Sequence, residues 1–521
     1  MDIARIDEDN SLSSISRLPN ELLASIFIHC ARDYHYESKS FPSLDAPAWV
    51  NVSYVCSRWR GVALNCQTLW SYIFTMSQRW TTLLLARSEQ APLKIRIKIK
   101  LLKYPWWSKI VEKLMDHVER IEELHLCIFW WNTMTYRMFS KLLSGASRLQ
   151  NLEFSMKPTK YQSPDEFNVQ VTPTPWHSCK LGSLTTLSLQ TIPPFLRQGI
   201  VEFLDMLSCM QNLAHLYVDG ALASASDFIS SVEFNAFQKI NLPHLSRLLI
   251  IAPLSTVIAF VSCVNIPPQT EVRLNCGYER EYYNHNTLLD LYTLLASILA
   301  QNYNKDQALS IPTIHSVGIK SDGYSLVLIF GTSTICDYNP SFSMTPLKWD
   351  HNILLKIIVN FHPSVWHSGA EHRHIITFGS KICFSMPVTN VQSLHVIGPP
   401  FCPAFWRMAL GHLPGLRYIK LSRGYMPDLA SVLSQTAQEP LENPSGCVTS
   451  DGDPTDRILA PALEELELCR IWFSSDLPGV AISQRSLLDT LSTRKTVRVT
   501  IIESPKDIHS IDHSDSSDDD L

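Results

Sequence analysis

The stretch Leu184-Thr-Thr-Leu187-Ser-Leu189 decides how this chain is to be read. Its last two apolar residues stand two apart, so they share one face of a pleated strand. The same L-x-x-L-x-L spacing recurs as Ile121/Leu124/Leu126, Leu149/Leu152/Phe154, Leu213/Leu216/Val218 and Leu245/Leu248/Ile250. Later copies are Val391/Leu394/Val396, Leu416/Ile419/Leu421 and Leu463/Leu466/Leu468. The early copies follow one another at roughly 30 residues. Each supplies one short strand with an apolar side, and a helix or irregular turn leads to the next. One such unit cannot bury its own face, so the spacing predicts a stack of units.

The segments between copies agree. Phe195–Leu207 and Phe401–Leu410 carry helical, amphipathic patterning. The middle, Cys276–Pro387, keeps the period poorly. It offers a turn at Ser321-Asp-Gly-Tyr324 and apolar runs at Leu326–Phe330, Leu354–Phe361 and Ile375–Phe384, read as strands of an irregular repeat pair. Ahead of the first copy, Trp80–Ala86 reads as a short helix. Leu93-Lys-Ile-Arg-Ile-Lys-Ile-Lys100 then alternates without fault, four aliphatics against four cations. A strand with a solvated, charged outer face is preferred to a nucleic-acid stripe, because the run has no aromatic stacking residue.

The bulk numbers fit a protein-binding chain. Of 521 residues 45% are hydrophobic and only 18% charged, so much surface is buried internally or against a partner. A net charge of -5 lacks the basic footprint of nucleic-acid binders. The 13 cysteines include no C-x-x-C pair, which suits free thiols in a reducing compartment, cytoplasm or nucleus. The first ten residues have no apolar segment of the signal-peptide kind. Leu248–Val264 is uncharged, but Pro253 interrupts it and it is shorter than the roughly 20 residues of a spanning helix, so no membrane span is expected.

Near the amino end, Leu18-Pro-Asn-Glu-Leu-Leu-Ala-Ser-Ile-Phe27 opens a helix with Pro19 at its start, where a missing N–H costs nothing. Leu22, Leu23, Ile26 and Phe27 recur at helical spacing. Tyr34–Ala48 reads as a loop. A second helical pattern covers Trp49–Ala63 and closes on Leu69-Trp70.

Taken together, Leu18-Pro19, Glu21-Leu22-Leu23, Ile26-Phe27, Val52-Ser53-x-Val55-Cys56-x-x-Trp59-Arg60-x-Val62-Ala63 and Leu69-Trp70 resemble the F-box, in the F-box-like form abundant in mushroom-forming fungi. There the motif is typically followed by degenerate leucine-rich repeats. The resemblance implies an α+β or α/β solenoid: a small all-helical F-box, then an irregular leucine-rich-repeat horseshoe. It covers about a tenth of the chain, and the Ile28–Ala48 stretch is longer than the compact F-box allows. It also implies a Skp-type adaptor and a cullin ligase as partners. Carried over by position, Leu18, Pro19, Leu22, Leu23, Ile26 and Phe27 meet the adaptor. Val55, Cys56, Trp59, Leu69 and Trp70 complete the interface or the small core beneath it. The expected domains are a leader at 1–15, the F-box-like unit at 16–75, a solenoid at 76–502 with an unstructured insertion at 435–457, and an acidic tail at 503–521.

No phosphate loop, H-E-x-x-H or G-x-S-x-G occurs in the chain. His362, His367, His372 and His374 cluster in sequence with Glu371, but their spacing matches no structural zinc pattern. No metal, cofactor or enzymatic activity is therefore expected. Ser516 and Ser517 each precede an acid by three places, which makes them candidate phosphosites in a tail that otherwise reads as solvated. The leading function is substrate receptor of a Skp–cullin–F-box ubiquitin ligase, with the repeats holding a protein target. The alternative is an F-box and repeat scaffold without ubiquitin-ligase output.

Overall fold

The repeated leucines become rungs of a ladder, because each short strand lies beside the next in the same direction and in register. The computed structural model describes residues 14–37, 47–74, 77–99, 106–128, 133–156, 181–192, 197, 199–229, 234, 237–277, 285–303, 312–321, 325–333, 352–360, 379, 382–383, 385–398, 403–424, 429, 432–433, 462–471 and 497–502. The chain divides into two units, Met1–Thr270 and Glu271–Leu521.

The first unit begins with helices α1 (Asn20–Glu37) and α2 (Ser57–Asn65) and short 3-10 turns at Ala48–Tyr54 and Gln67–Ser71. A parallel sheet follows, ordered β1 (Tyr72–Ile73), β2 (Leu93–Ile99), β3 (Ile121–Ile128), β4 (Asn151–Met156), β5 (Thr186–Gln190), β6 (His215–Asp219) and β8 (Arg247–Pro253). β7 (Ile240–Asn241) pairs separately with β9 (Val264–Asn265). Leu124, Leu152, Leu187, Leu216 and Leu248 stand side by side, as do Leu126, Phe154, Leu189, Val218 and Ile250. All ten are buried. At roughly 1.5–3 kcal/mol for each buried side chain, this double row is the main source of cohesion in the sheet.

The first apolar residue of each copy has a separate task. The N–H groups of Leu149, Leu184, Leu213 and Leu245 bond back to the carbonyls of Ala146, Leu181, Met210 and Leu242. Each copy is thus entered through a tight turn with an apolar residue at both ends. The same turn precedes the strands at Val391 and Leu416 in the second unit. The full motif therefore starts three residues earlier than the six-residue pattern.

In the second unit the sheet runs β10 (Glu271–Gly277), β13 (Ile353–Asn360), β12 (Ser325–Gly331), β11 (Ser316–Ser321), β14 (Ser393–Ile397), β15 (Tyr418–Gly424), β16 (Glu465–Ile471), β17 (Arg498–Ile502). Only β12 runs against its neighbours. Leu394, Ile419, Leu466 and Val499 form one row of its parallel part. Most of the expected Ile375–Phe384 strand lies outside the described residues, and the described positions 379 and 382–383 are helical rather than extended.

Three other expectations change, and the reading of Leu248–Val264 is filled in. The first helix continues to Glu37, so the expected loop is helical over its first four residues, Tyr34 to Glu37, and residues 38–46 lie outside the described residues. The Trp49–Ala63 pattern is two elements, split at Cys56, whose backbone is extended (φ -155°) and whose side chain caps the new helix: its sulfur accepts from the Trp59 N–H. A sulfur atom caps there as serine commonly does. The uncharged Leu248–Val264 stretch is β8 followed by the buried helix Leu254–Cys263, with Pro253 between them. Among the described residues no helix is long and apolar enough to cross a membrane. Finally, β2 lies between β1 and β3, and its described cations, Lys94 and Arg96, are not a solvated fringe, while the side chain of Lys98 and all of Lys100 lie outside the described residues. The Lys94 ammonium meets Glu123 at 2.6 Å, and the Arg96 guanidinium donates to the carbonyls of His35 (2.6 Å) and Tyr36 (2.8 Å).

Candidate protein-docking face

Helix α1 has two apolar edges, and the structure separates them. Leu23, Phe27, Ala31 and His35 recur every four residues and are buried. Their neighbours Leu22 and Ile26 point away, 52% and 42% exposed, and Pro19 is exposed before them. What fixes the inner edge is α2. The Phe27 ring packs on Trp59 at a centroid distance of 5.0 Å, and Arg58 donates to the Leu18 carbonyl and to Asn20 Oδ1.

Beneath α2 sits Trp70. Its Nε1–H donates to the Ala63 carbonyl at 2.7 Å, Trp49 meets its ring edge-on at 5.3 Å, and the Arg87 guanidinium lies 4.2 Å from the ring centroid. Leu69 is fully buried beside it in the chain. Leu23 and Phe27, carried over as contact residues, are therefore interior, and Leu69 and Trp70 take the core option of the two left open for them: their side chains hold the helices together. Leu18, Cys56 and Trp59 are half-buried. Val55, between the two elements of the split pattern, is 60% exposed. Four further exposed apolar residues, Ile15, Tyr36, Tyr54 and Leu64, escaped the sequence reading. Ile15 stands in a polar leader, and Tyr54 breaks the expected helical stripe; only the split at Cys56 explains its position.

At its far end α1 meets the sheet. His35 is enclosed by the rings of Tyr36, Tyr72, Phe74 and His125, and neither ring nitrogen has a hydrogen-bond partner. Burial, with help from the nearby His125, Arg96 and Lys94, pushes its pKa down to about 3. His35 is thus neutral when folded, whereas in the unfolded chain it protonates near 6.5. Below pH 6.5 the unfolded state binds a proton that the folded state refuses, so this group erodes stability progressively down to about pH 3. The linkage amounts to about 2 kcal/mol at pH 5. His35→Phe keeps the ring packing and removes both unsatisfied nitrogens. The variant is expected to equal or exceed wild type at pH 7 and to lose less stability between pH 7 and 5. Urea unfolding at both values measures this; parallel losses in the two proteins would contradict it.

Among the described residues no group of three or more His, Cys, Asp and Glu is placed to hold a metal ion. The histidine cluster 362–374 and the candidate phosphosites Ser516 and Ser517 lie outside the described residues, as do 435–457 and the tail from 503. What the helical unit offers is exposed apolar side chains, Leu22, Ile26 and Val55, outside a closed core.

Comparison with known proteins bears on this unit. A search of curated proteins finds no match. Among solved structures, the chain is similar to a Bacteroides fragilis protein at 10% identity, over 66% of this chain and 71% of that one, with a TM-score of 0.27. The F-box-like family model matches residues 15–76, a span that takes in both helices, the capped split and the Trp70 core. The chain carries an F-box-like domain at its amino-terminal end, followed by a largely parallel sheet with intervening helices.

Proposed function

We propose that this chain is a substrate-recognition adaptor of a Skp–cullin–F-box ubiquitin ligase, of the fungal F-box-like type. Its F-box-like unit binds a Skp-type adaptor, and its strands form a leucine-rich-repeat horseshoe that holds a protein target. The reading rests on one observation above all. Leu22, Ile26 and Val55 stay exposed on a unit whose own core, Phe27, Leu69 and Trp70, is already complete. Leu22 and Ile26 stand one turn apart on α1, and helical apolar faces are a common way to fill a partner's groove. The ligase complex then supplies catalysis by proximity, the target being held near the ubiquitin-loaded enzyme. The chain itself carries out no chemistry and works in the cytoplasm or nucleus.

The test uses the full chain in two steps. Purified protein is first passed over immobilised Skp-type adaptor, and failure to be retained removes the docking half of the reading. Half-lives of the chain's interactors are then compared in cells with and without the F-box-like segment. At least one interactor is expected to be longer-lived without it. If adaptor binding holds but every lifetime is unchanged, the chain is a scaffold and has no ubiquitylation output.

A further inference from the structure

The sheet-facing end of α1 carries more polar contacts than helix packing requires. Arg96 on β2 takes the carbonyls of His35 and Tyr36, in the last turn of α1, at 2.6 and 2.8 Å. The guanidinium thus stands on helix carbonyls in the sense favoured by the helix dipole. The Tyr36 hydroxyl reaches past β2 to donate to Glu123 on β3, and Lys94 on β2 holds that same carboxylate at 2.6 Å. Glu123 is buried. Between these polar contacts the His35 ring is boxed by Tyr72 and Phe74, just after the F-box-like core, and by His125 of β3. Three residues of two sheet strands, Arg96, Glu123 and His125, thus close on two consecutive residues of one helix, and Lys94 holds one of the three.

We infer that β2 and β3 form a clasp on the end of α1, so that the exposed face at Leu22 and Ile26 and the parallel sheet turn as one rigid body. The F-box-like unit is then not an independently hinged module. Its helix keeps its last turns because the first strands of the repeat hold them. For a receptor this fixes the distance and angle from the docking face to whatever the sheet binds. That consequence rests on the function proposed above, whereas the clasp itself does not.

The test reads the clasp directly in the full chain. In Arg96→Met combined with Tyr36→Phe, amide exchange over residues 33–37 is expected to speed up at least tenfold. Exchange in β5 and β6 should stay at the wild-type rate. A spin-label distance between positions 29 and 188, narrowly distributed in wild type, should broaden. Unchanged exchange and an unchanged distance distribution overturn the clasp. Should the double variant not fold, Glu123→Gln is measured instead; it keeps a hydrogen-bond acceptor but loses the charge that holds Lys94. There a threefold or greater acceleration at 33–37 supports the clasp, and no change overturns it. Adaptor retention is measured on the same wild-type sample. A chain that shows the clasp but binds no adaptor refutes the docking reading alone.

Discussion

Replacing Leu22 and Ile26 together by aspartate is expected to weaken binding to a Skp-type adaptor by at least about 100-fold while the chain stays folded. The two side chains are half-exposed, and no described core contact depends on them. Their change therefore costs the free chain little, since surface substitutions away from caps and networks usually fall within about 0.5 kcal/mol. In the complex each apolar anchor contributes roughly 1.5–3 kcal/mol, and the new carboxylates must be desolvated besides. A loss of about 3–6 kcal/mol corresponds to two to four decades in affinity. Calorimetric titration of the full chain with the adaptor measures it, with a circular-dichroism melt as the folding control. A double variant that binds within threefold of wild type would place the interface elsewhere.

Trp70→Ala should fail differently. The indole is fully buried, hydrogen-bonded to the Ala63 carbonyl and packed between Trp49 and Arg87. Truncating it leaves a cavity and an unpaired carbonyl, for a loss of about 3–5 kcal/mol of stability. Adaptor binding then falls because the docking face is no longer held, and the loss should shrink as temperature is lowered and the fold recovers. In the aspartate variant the deficit persists at every temperature at which the chain is folded. Urea midpoints and affinities measured at 10 and 30 °C separate the two. If Trp70→Ala melts like wild type, the core assigned to this unit is misplaced.

The difference between these variants was not legible in the sequence. Leu22 and Leu23, like Ile26 and Phe27, are consecutive, and consecutive helical residues lie only about 100° apart. Either edge could have been the inner one. What decides is Trp59, whose ring lies on Phe27 from a helix thirty residues later. The strand ladder was legible because its signal is local. Every copy of the spacing falls on a strand entry, and Leu124 through Leu248 line up without a slip. The β2 strand was equally plain, but its cations read as solvent-facing because their partners, Glu123 and the end of α1, are distant in sequence. His35 gave no sign at all: a histidine at a helix end is ordinarily a surface residue, and only the ring enclosure makes it otherwise.

The period fails in the middle because the order of strands along the chain is not their order in space. β11, β12 and β13 are laid down backwards between β10 and β14. Val272 on β10 pairs with Leu355, and Ser316 on β11 pairs with Ser393. A rule based on a constant step cannot find neighbours placed in that way. Residues 322–324 of the expected turn lie outside the described residues, and the strands on either side of them, β11 and β12, form an antiparallel pair.

That reversed meander carries a kinetic consequence. In the first unit each strand can dock on the one made about thirty residues before it, so assembly proceeds by a series of short loop closures. The second unit must leave a place beside β10 unfilled until three more strands have been synthesised, and the search over that interval is longer. Refolding from denaturant should therefore be biphasic, the strands around Leu187 gaining protection before those around Leu355. During the delay, the waiting edge of β10 is open to mispairing with a neighbour.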